Sequence, residues 1–189
     1  EEAAYRHYYR CVQLIGMNDP DKRWLLKNPG HIHHLDQLLA VYPDAKIIQT
    51  HRDPAKAVPS LVALLMRMHP IIEEGRVDQR GPIMLRRELA KWSNAAAKAE
   101  TVKARYPGQV LAIVHGQFHA DPMAVLDRIY GFIGMDIADD TRAAFAQRIA
   151  DKPELQHGVH SYRLADYGVT ADEARAPFAD YIARYDLVP

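Results

Sequence analysis

Thr50-His51-Arg52-Asp53-Pro54-Ala55-Lys56-Ala57-Val58-Pro59-Ser60 carries a strand-like run into a helix within one turn. Upstream of it, Ala45-Lys46-Ile47-Ile48-Gln49-Thr50 has the bulky, branched residues of a buried strand. Downstream, Asp53 suits an N-cap and Pro54 stands at the favoured first helical position, so the spacing predicts a helix running from Pro54 towards Met68. Pro59 falls in its second turn and weakens that expectation. An arginine at the C-terminal end of a strand and beside a helix N-terminus is well placed for a bound phosphate.

Before this block, Arg23-Trp24-Leu25-Leu26-Lys27 is short, bulky and bounded by turn residues, and it reads as a first strand. His31 to Tyr42 places Ile32, Leu35, Leu38 and Leu39 on one helical face, which makes a strand, helix, strand unit of crossover size. Ala3 to Gly16 predicts a helix ending at a glycine.

After the block, Arg67 to Arg80 reads as a mobile loop and Pro82 to Tyr106 as a long helix. Val110 to Val114 is a third strand, with His115 as a polar cap on it, and Asp121 caps a helix reaching Gly134. Helices at Asp139 to Asp151 and Ala171 to Tyr185 flank an irregular stretch from Pro153 to Gly168. The pattern is α/β, read as one domain over residues 1–189. Three strands are few for so many helices, so further strands are expected N-terminal to Glu1.

Composition narrows the function classes. Lys plus Arg and Asp plus Glu both number 24, so no polyanion-binding surface is expected and nucleic acid is not a partner. The single cysteine, Cys11, rules out a disulfide framework within the chain and fits a reducing, cytoplasmic setting. No apolar run reaches membrane-spanning length. His31, His33 and His34 cannot all face one side of a helix, and no neighbouring carboxylate or cysteine completes a zinc set, so no metal is expected.

Taken alone, Arg52 could pair with a neighbouring carboxylate and Ser60 could be an ordinary helix residue. Their surroundings add more. A strand, an Arg, a Pro and a Ser eight positions after the Arg resembles the 3′-phosphate motif of sulfotransferases that use 3′-phosphoadenosine 5′-phosphosulfate, PAPS. Trp24 to His31, Tyr42-Pro43-Asp44-Ala45 and His51 to Pro54 look like a run shared by bacterial members of that family, and Val114-His115, Asp121-Pro122, His160-Ser161-Tyr162 and Tyr167-Gly168 follow in the family's order.

The resemblance implies a three-layer fold like that of P-loop kinases, a central parallel sheet flanked by helices. It implies that Arg52 and Ser60 hold the donor's 3′-phosphate, that Tyr162 and Arg163 belong to a late loop over the nucleotide, and that adenosine 3′,5′-bisphosphate is the co-product. Lys27 would stabilise the leaving phosphate and His31 would be the base, although the family's Lys and His stand closer together in sequence. The acceptor would be a small molecule or glycan with a hydroxyl or amine. The Gly-, Ser- or Thr-rich loop that wraps the 5′-phosphosulfate is absent from the chain and is expected upstream of it.

Two other readings use the same pattern. A P-loop kinase should show GxxxxGK[ST] and Mg²⁺ carboxylates, neither of which is visible. A non-catalytic binding or assembly module could keep the fold without the chemistry.

Overall fold

The computed structural model describes residues 1–72, 77–151 and 163–187, the side chains at 69–70, 72 and 77–79 excepted. They fall into two compact units, one made of Glu1–Ile47 with Asn94–Val110, the other of Ile48–Ser93 with Leu111–Pro189.

In the first unit, helix α1 (Glu2–Ile15) packs against α2 (Leu35–Val41). The core joins Leu35 and Leu39 to Ala99 and Val102 from the second half of a long helix, α4 (Val77–Arg105). Ile32, Leu38, Ala45, Ile47 and Tyr106 pack around them. Small residues at 95, 96 and 99 let α4 lie close to its neighbours, and all three are nearly inaccessible. The chain after α1 turns tightly: a Cβ on Gly16 would stand 2.9 Å from Nε1 of Trp24, so only glycine permits that indole to rest there.

Residues 23–27 do not form the expected strand. A strand needs a neighbour for its N–H and C=O groups, and no described residue pairs with this one. The bulk that suggested burial is exposed instead, Leu25 at 90% and Trp24 at 48%. The following helix is also divided. Pro29–His34 forms a 3-10 turn, begun by the Asn28 side chain accepting from Gly30 N–H at 2.8 Å, and α-helix starts only at Leu35.

The second unit holds the sheet residues of β1 (Ile47–His51) and β2 (Val110–Val114), all but their first residues, paired as a small parallel sheet. Helix α3 (Pro54–Ile72) follows β1 and stays helical through Pro59. Its buried Ala55, Val58 and Val62 meet Leu85 and Leu89 of α4, with Val169, Ala174 and Phe178 from the C-terminal part. Val62 and Leu85 are fully buried, and side chains of that kind contribute about 1.5–3 kcal/mol each by leaving water. Pro59 is buried in the same region, which offsets the one backbone hydrogen bond it cannot make.

The expected mobile loop at 67–80 is largely helical where it is described, since α3 reaches Ile72 and α4 starts at Val77. After β2 come α5 (His115–Ala120), α6 (Pro122–Ile133) and α7 (Asp139–Asp151). Asp121 caps α6 as expected, accepting from Ala124 N–H at 3.0 Å. The last expected helix is split into α8 (Ala171–Arg175), a 3-10 turn at Ala176–Phe178 and α9 (Ala179–Tyr185), because Pro177 cannot donate to the preceding turn.

Candidate functional site

The turn from β1 to α3 is fixed by Asp53. Its side chain accepts from Ala55 N–H at 3.0 Å, and its carbonyl accepts from the N–H groups of Lys56 and Ala57, each at 2.9 Å. Arg175 of α8 then grips the carboxylate in fork geometry, Nε to Oδ1 at 3.2 Å and Nη2 to Oδ2 at 2.8 Å. Helix α8 is itself held by a capping box between Thr170 and Glu173.

Burial alone would raise the pKa of Asp53. The Arg175 hydrogen bonds, the Ala55 N–H and the positive charges of Arg175 and Lys56 outweigh it, so the carboxyl lies below its ordinary value. Asp53 is therefore the partner of Arg175 and not of Arg52. Among the described residues, no hydrogen bond or ion pair engages the exposed Arg52 guanidinium.

Because the N–H groups of the first turn of α3 are already used, anion recognition here falls to side chains more than to the helix terminus. Arg52 and Lys56 line a cavity of about 390 Å³ together with His51, Asp53, His115 and Asp186. Ser60 lies one helical turn beyond Lys56, half-buried, and does not line the cavity.

His51 is wholly inaccessible, with Nδ1 3.1 Å from Tyr181 Oη and its ring stacked on Tyr185 at 3.6 Å. It braces the strand end that delivers Arg52. His115, read as a polar cap on the strand in preference to a residue of the acceptor pocket, is half-buried at the cavity wall, its Nε2 3.2 Å from His119 Nε2. Burial lowers its pKa, and the charges of Arg52, His119 and Lys56 lower it further. A second, apolar cavity of about 220 Å³ shares His115 and includes Ile48, Ile113 and Phe118.

The other proposed catalytic residues lie in the first unit. Lys27 is exposed at the end of the unpaired stretch. His31 sits in the 3-10 turn, half-buried, with Nδ1 3.0 Å from Tyr5 Oη and its ring centroid 6.1 Å from that of Tyr8. Burial holds its pKa below the usual histidine value. Nearby, burial and the Tyr8, Tyr9 and Cys11 groups push Tyr42 up to about 12.

Of the late-loop pair, Tyr162 lies outside the described residues, and Arg163 is on the surface, 3.1 Å from Asp166. Among the described residues there is no cluster of three or more His, Cys, Asp or Glu suited to a metal, and no helix long and apolar enough to cross a membrane.

Sequence reasoning passed over Arg175 and Asp186, which come from distant parts of the chain. The histidines spaced i, i+4 in His115-Gly116-Gln117-Phe118-His119 were the available signal for the third participant.

The chain matches the sulfotransferase family over residues 2–140. It is 27% identical over 167 residues to omega-hydroxy-beta-dihydromenaquinone-9 sulfotransferase Stf3 of Mycobacterium bovis, a match covering 84% of this chain and 40% of the relative; the Mycobacterium tuberculosis protein of the same name matches equally. Sulfotransferase STF9 from Mycobacterium avium has a similar structure, with a TM-score of 0.84 and 26% identity over 99% of this chain and 47% of the other. STF1 from Mycobacterium tuberculosis gives 0.69 and 32% over 87% and 41%. These neighbours have a P-loop-kinase-like fold, and this chain shares it. The chain spans about 40% of the length of the curated relatives it matches.

Proposed function

The chain belongs to the sulfotransferase family, and from that premise we propose that it forms the 3′-phosphate side of a PAPS site in a cytoplasmic enzyme that sulfates a hydroxyl or amine. On this reading residues 1–189 are part of one sulfotransferase domain. The observation that carries it is the Arg52 guanidinium, left without a carboxylate because Arg175 takes Asp53, and set with Lys56 in a cavity large enough for a phosphate and more.

Arg52 holds the 3′-phosphate through charge-assisted hydrogen bonds, and Ser60 adds a hydroxyl donor. Tyr162 and Arg163 complete the nucleotide contacts from the late loop. No metal is needed for this arrangement.

In the transfer step the acceptor oxygen or nitrogen forms a bond to sulfur while the bond from sulfur to the bridging oxygen breaks. Adenosine 3′,5′-bisphosphate leaves with that electron pair, and the acceptor proton goes to the base. His31 serves as base and Lys27 meets the charge growing on the bridging oxygen. The low pKa keeps His31 neutral at pH 7. Its base role requires the tautomer in which Nδ1–H donates to Tyr5 Oη, which leaves Nε2 bare.

The Mycobacterium relatives are named for an omega-hydroxy-beta-dihydromenaquinone-9 acceptor, which supports a hydroxyl as the acceptor group here. Incubating the protein with PAPS and a panel of alcohols, and measuring release of adenosine 3′,5′-bisphosphate, tests the reading directly. Acceptor-dependent release that is lost in R52A supports it; no release with any acceptor, together with no binding of the bisphosphate, contradicts it.

A further inference from the structure

His115, which sequence reasoning left out of the catalytic set, lines the cavity wall and is one half of a histidine pair. His115 begins α5 at the end of β2, and His119 stands one turn later, with the two Nε2 atoms 3.2 Å apart and the rings edge to face at 4.4 Å. Only one proton can lie between those two nitrogens, so one ring donates and the other accepts. His115 lines the cavity with Arg52 and Lys56, whereas His119 is exposed and lies outside it.

The charged and titratable groups around His115 come from three places. Arg52 and Lys56 approach from the β1 to α3 side; Asp53 and His51 are there too, but are engaged by Arg175 and by the two tyrosines. His119 comes from the same helix, and Asp186 comes from the residue after α9. Without an anion, two cations bear on His115 and disfavour a third positive charge. A bound phosphate reverses that field, since it neutralises Arg52 and Lys56 and rewards a protonated neighbour.

Resting on the PAPS reading above, we propose that His115 is a further, proton-dependent ligand for the phosphate held by Arg52, at the cavity wall it shares with Lys56, with His119 as its positioning residue, so that the anion and a proton bind together. When His115 is protonated, its Nε2–H donates to His119 Nε2 and its Nδ1–H is left for the phosphate. The proton comes from water, and the phosphate keeps its own protonation state. The sign follows from linkage: a ligand that raises the pKa of His115 binds more tightly as the pH falls. The consequence is a donor site whose affinity depends on pH through His115.

The test is calorimetric titration with adenosine 3′,5′-bisphosphate between pH 5.5 and 8.5, in buffers of different ionisation enthalpy so that proton uptake is counted directly. The ligand's phosphates titrate near pH 6, so the readout is the difference between wild type and H115Q, which keeps hydrogen bonding and loses titration. Proton uptake is expected to be larger in wild type than in H115Q. The wild-type affinity should exceed that of H115Q most at the acid end of the range, by at most about tenfold for a pKa rise of about one unit on binding, with the gap narrowing towards pH 8.5. H119Q should shift the midpoint of that dependence. If H115Q lost its fold, the His115 ring titration followed by NMR in wild type, with and without the bisphosphate, would give the same answer: an upward move on binding supports the proposal and no move overturns it. Tight binding with equal proton uptake in wild type and H115Q overturns this proposal alone, while no binding at any pH removes the donor-site reading and this one with it.

Discussion

Two histidines in this chain are each hydrogen-bonded to a tyrosine hydroxyl and set beside a second tyrosine ring. His51 meets Tyr181 at 3.1 Å and stacks on Tyr185; His31 meets Tyr5 at 3.0 Å and leans towards Tyr8. The first is completely shut off from solvent and the second is half-buried. If His31 is the base proposed above, a tyrosine partner does not separate a structural imidazole from a reactive one. Access does, because a base must reach its acceptor, whereas a brace works best when nothing else can reach it.

The comparison can be broken most sharply at His31. H31A should reduce turnover by about 10²–10⁴-fold, as loss of a general base does, and leave thermal stability nearly unchanged. A steady-state assay beside a melting curve checks both halves. In wild type held at saturating donor, kcat/KM for the acceptor should be flat through neutral pH and fall on the acid side below the ordinary histidine value of 6.5, because burial lowers the His31 pKa and the imidazolium cannot accept a proton.

His51 should show the reverse. H51A removes a fully buried, stacked ring and should cost about 2–4 kcal/mol in denaturant unfolding. An H51A protein as stable as wild type would show that the stack is not a brace.

Arg175 comes next. R175A leaves the Asp53 carboxylate buried without its partner, and it should cost about 2 kcal/mol, below the 3–5 of a fully buried pair because water reaches the arginine. Adding D53N should recover part of that loss in a double-mutant cycle. Since the folded pKa of Asp53 is depressed, its stabilisation is present above the ordinary carboxylate value of 3.8 and is lost as the pH falls through the lower folded value. R175A should therefore flatten the acid limb of the stability curve.

The smallest effect belongs to Y5F. It removes one hydrogen bond that orients His31 and should lower kcat by about 2–10-fold, the worth of one neutral hydrogen bond, with KM for the donor unchanged.

Much of this architecture was legible because it is local. Asp53-Pro54 and Asp121-Pro122 mark two helix starts through cap chemistry that depends on neighbouring residues alone. Val110–Val114 is strand over the very residues its apolar run suggested, and Asp139–Asp151 is helix likewise. Residues 23–27 misled because bulk and branching signal a strand only when a neighbour exists to pair with it, and pairing is not a local property.

The site divides in the same way. Arg52 could be singled out from its position between strand and helix. What frees it, the grip of Arg175 on Asp53 across a separation of 122 residues, leaves no mark in the local pattern. His115 shows the converse: its spacing to His119 was visible, but its place beside Arg52 and Lys56 depends on how β2 pairs with β1.

The central claim is that Arg52 receives the donor's 3′-phosphate, and the most direct measurement is equilibrium binding of adenosine 3′,5′-bisphosphate and of adenosine 5′-monophosphate to wild type and R52A. The account expects wild type to prefer the bisphosphate and R52A to lose about 10–150-fold for it, the worth of about 1.5–3 kcal/mol from hydrogen bonds to a charged group, with the monophosphate little affected. Equal affinities for the two nucleotides, or a bisphosphate affinity that survives R52A in a folded protein, would contradict it.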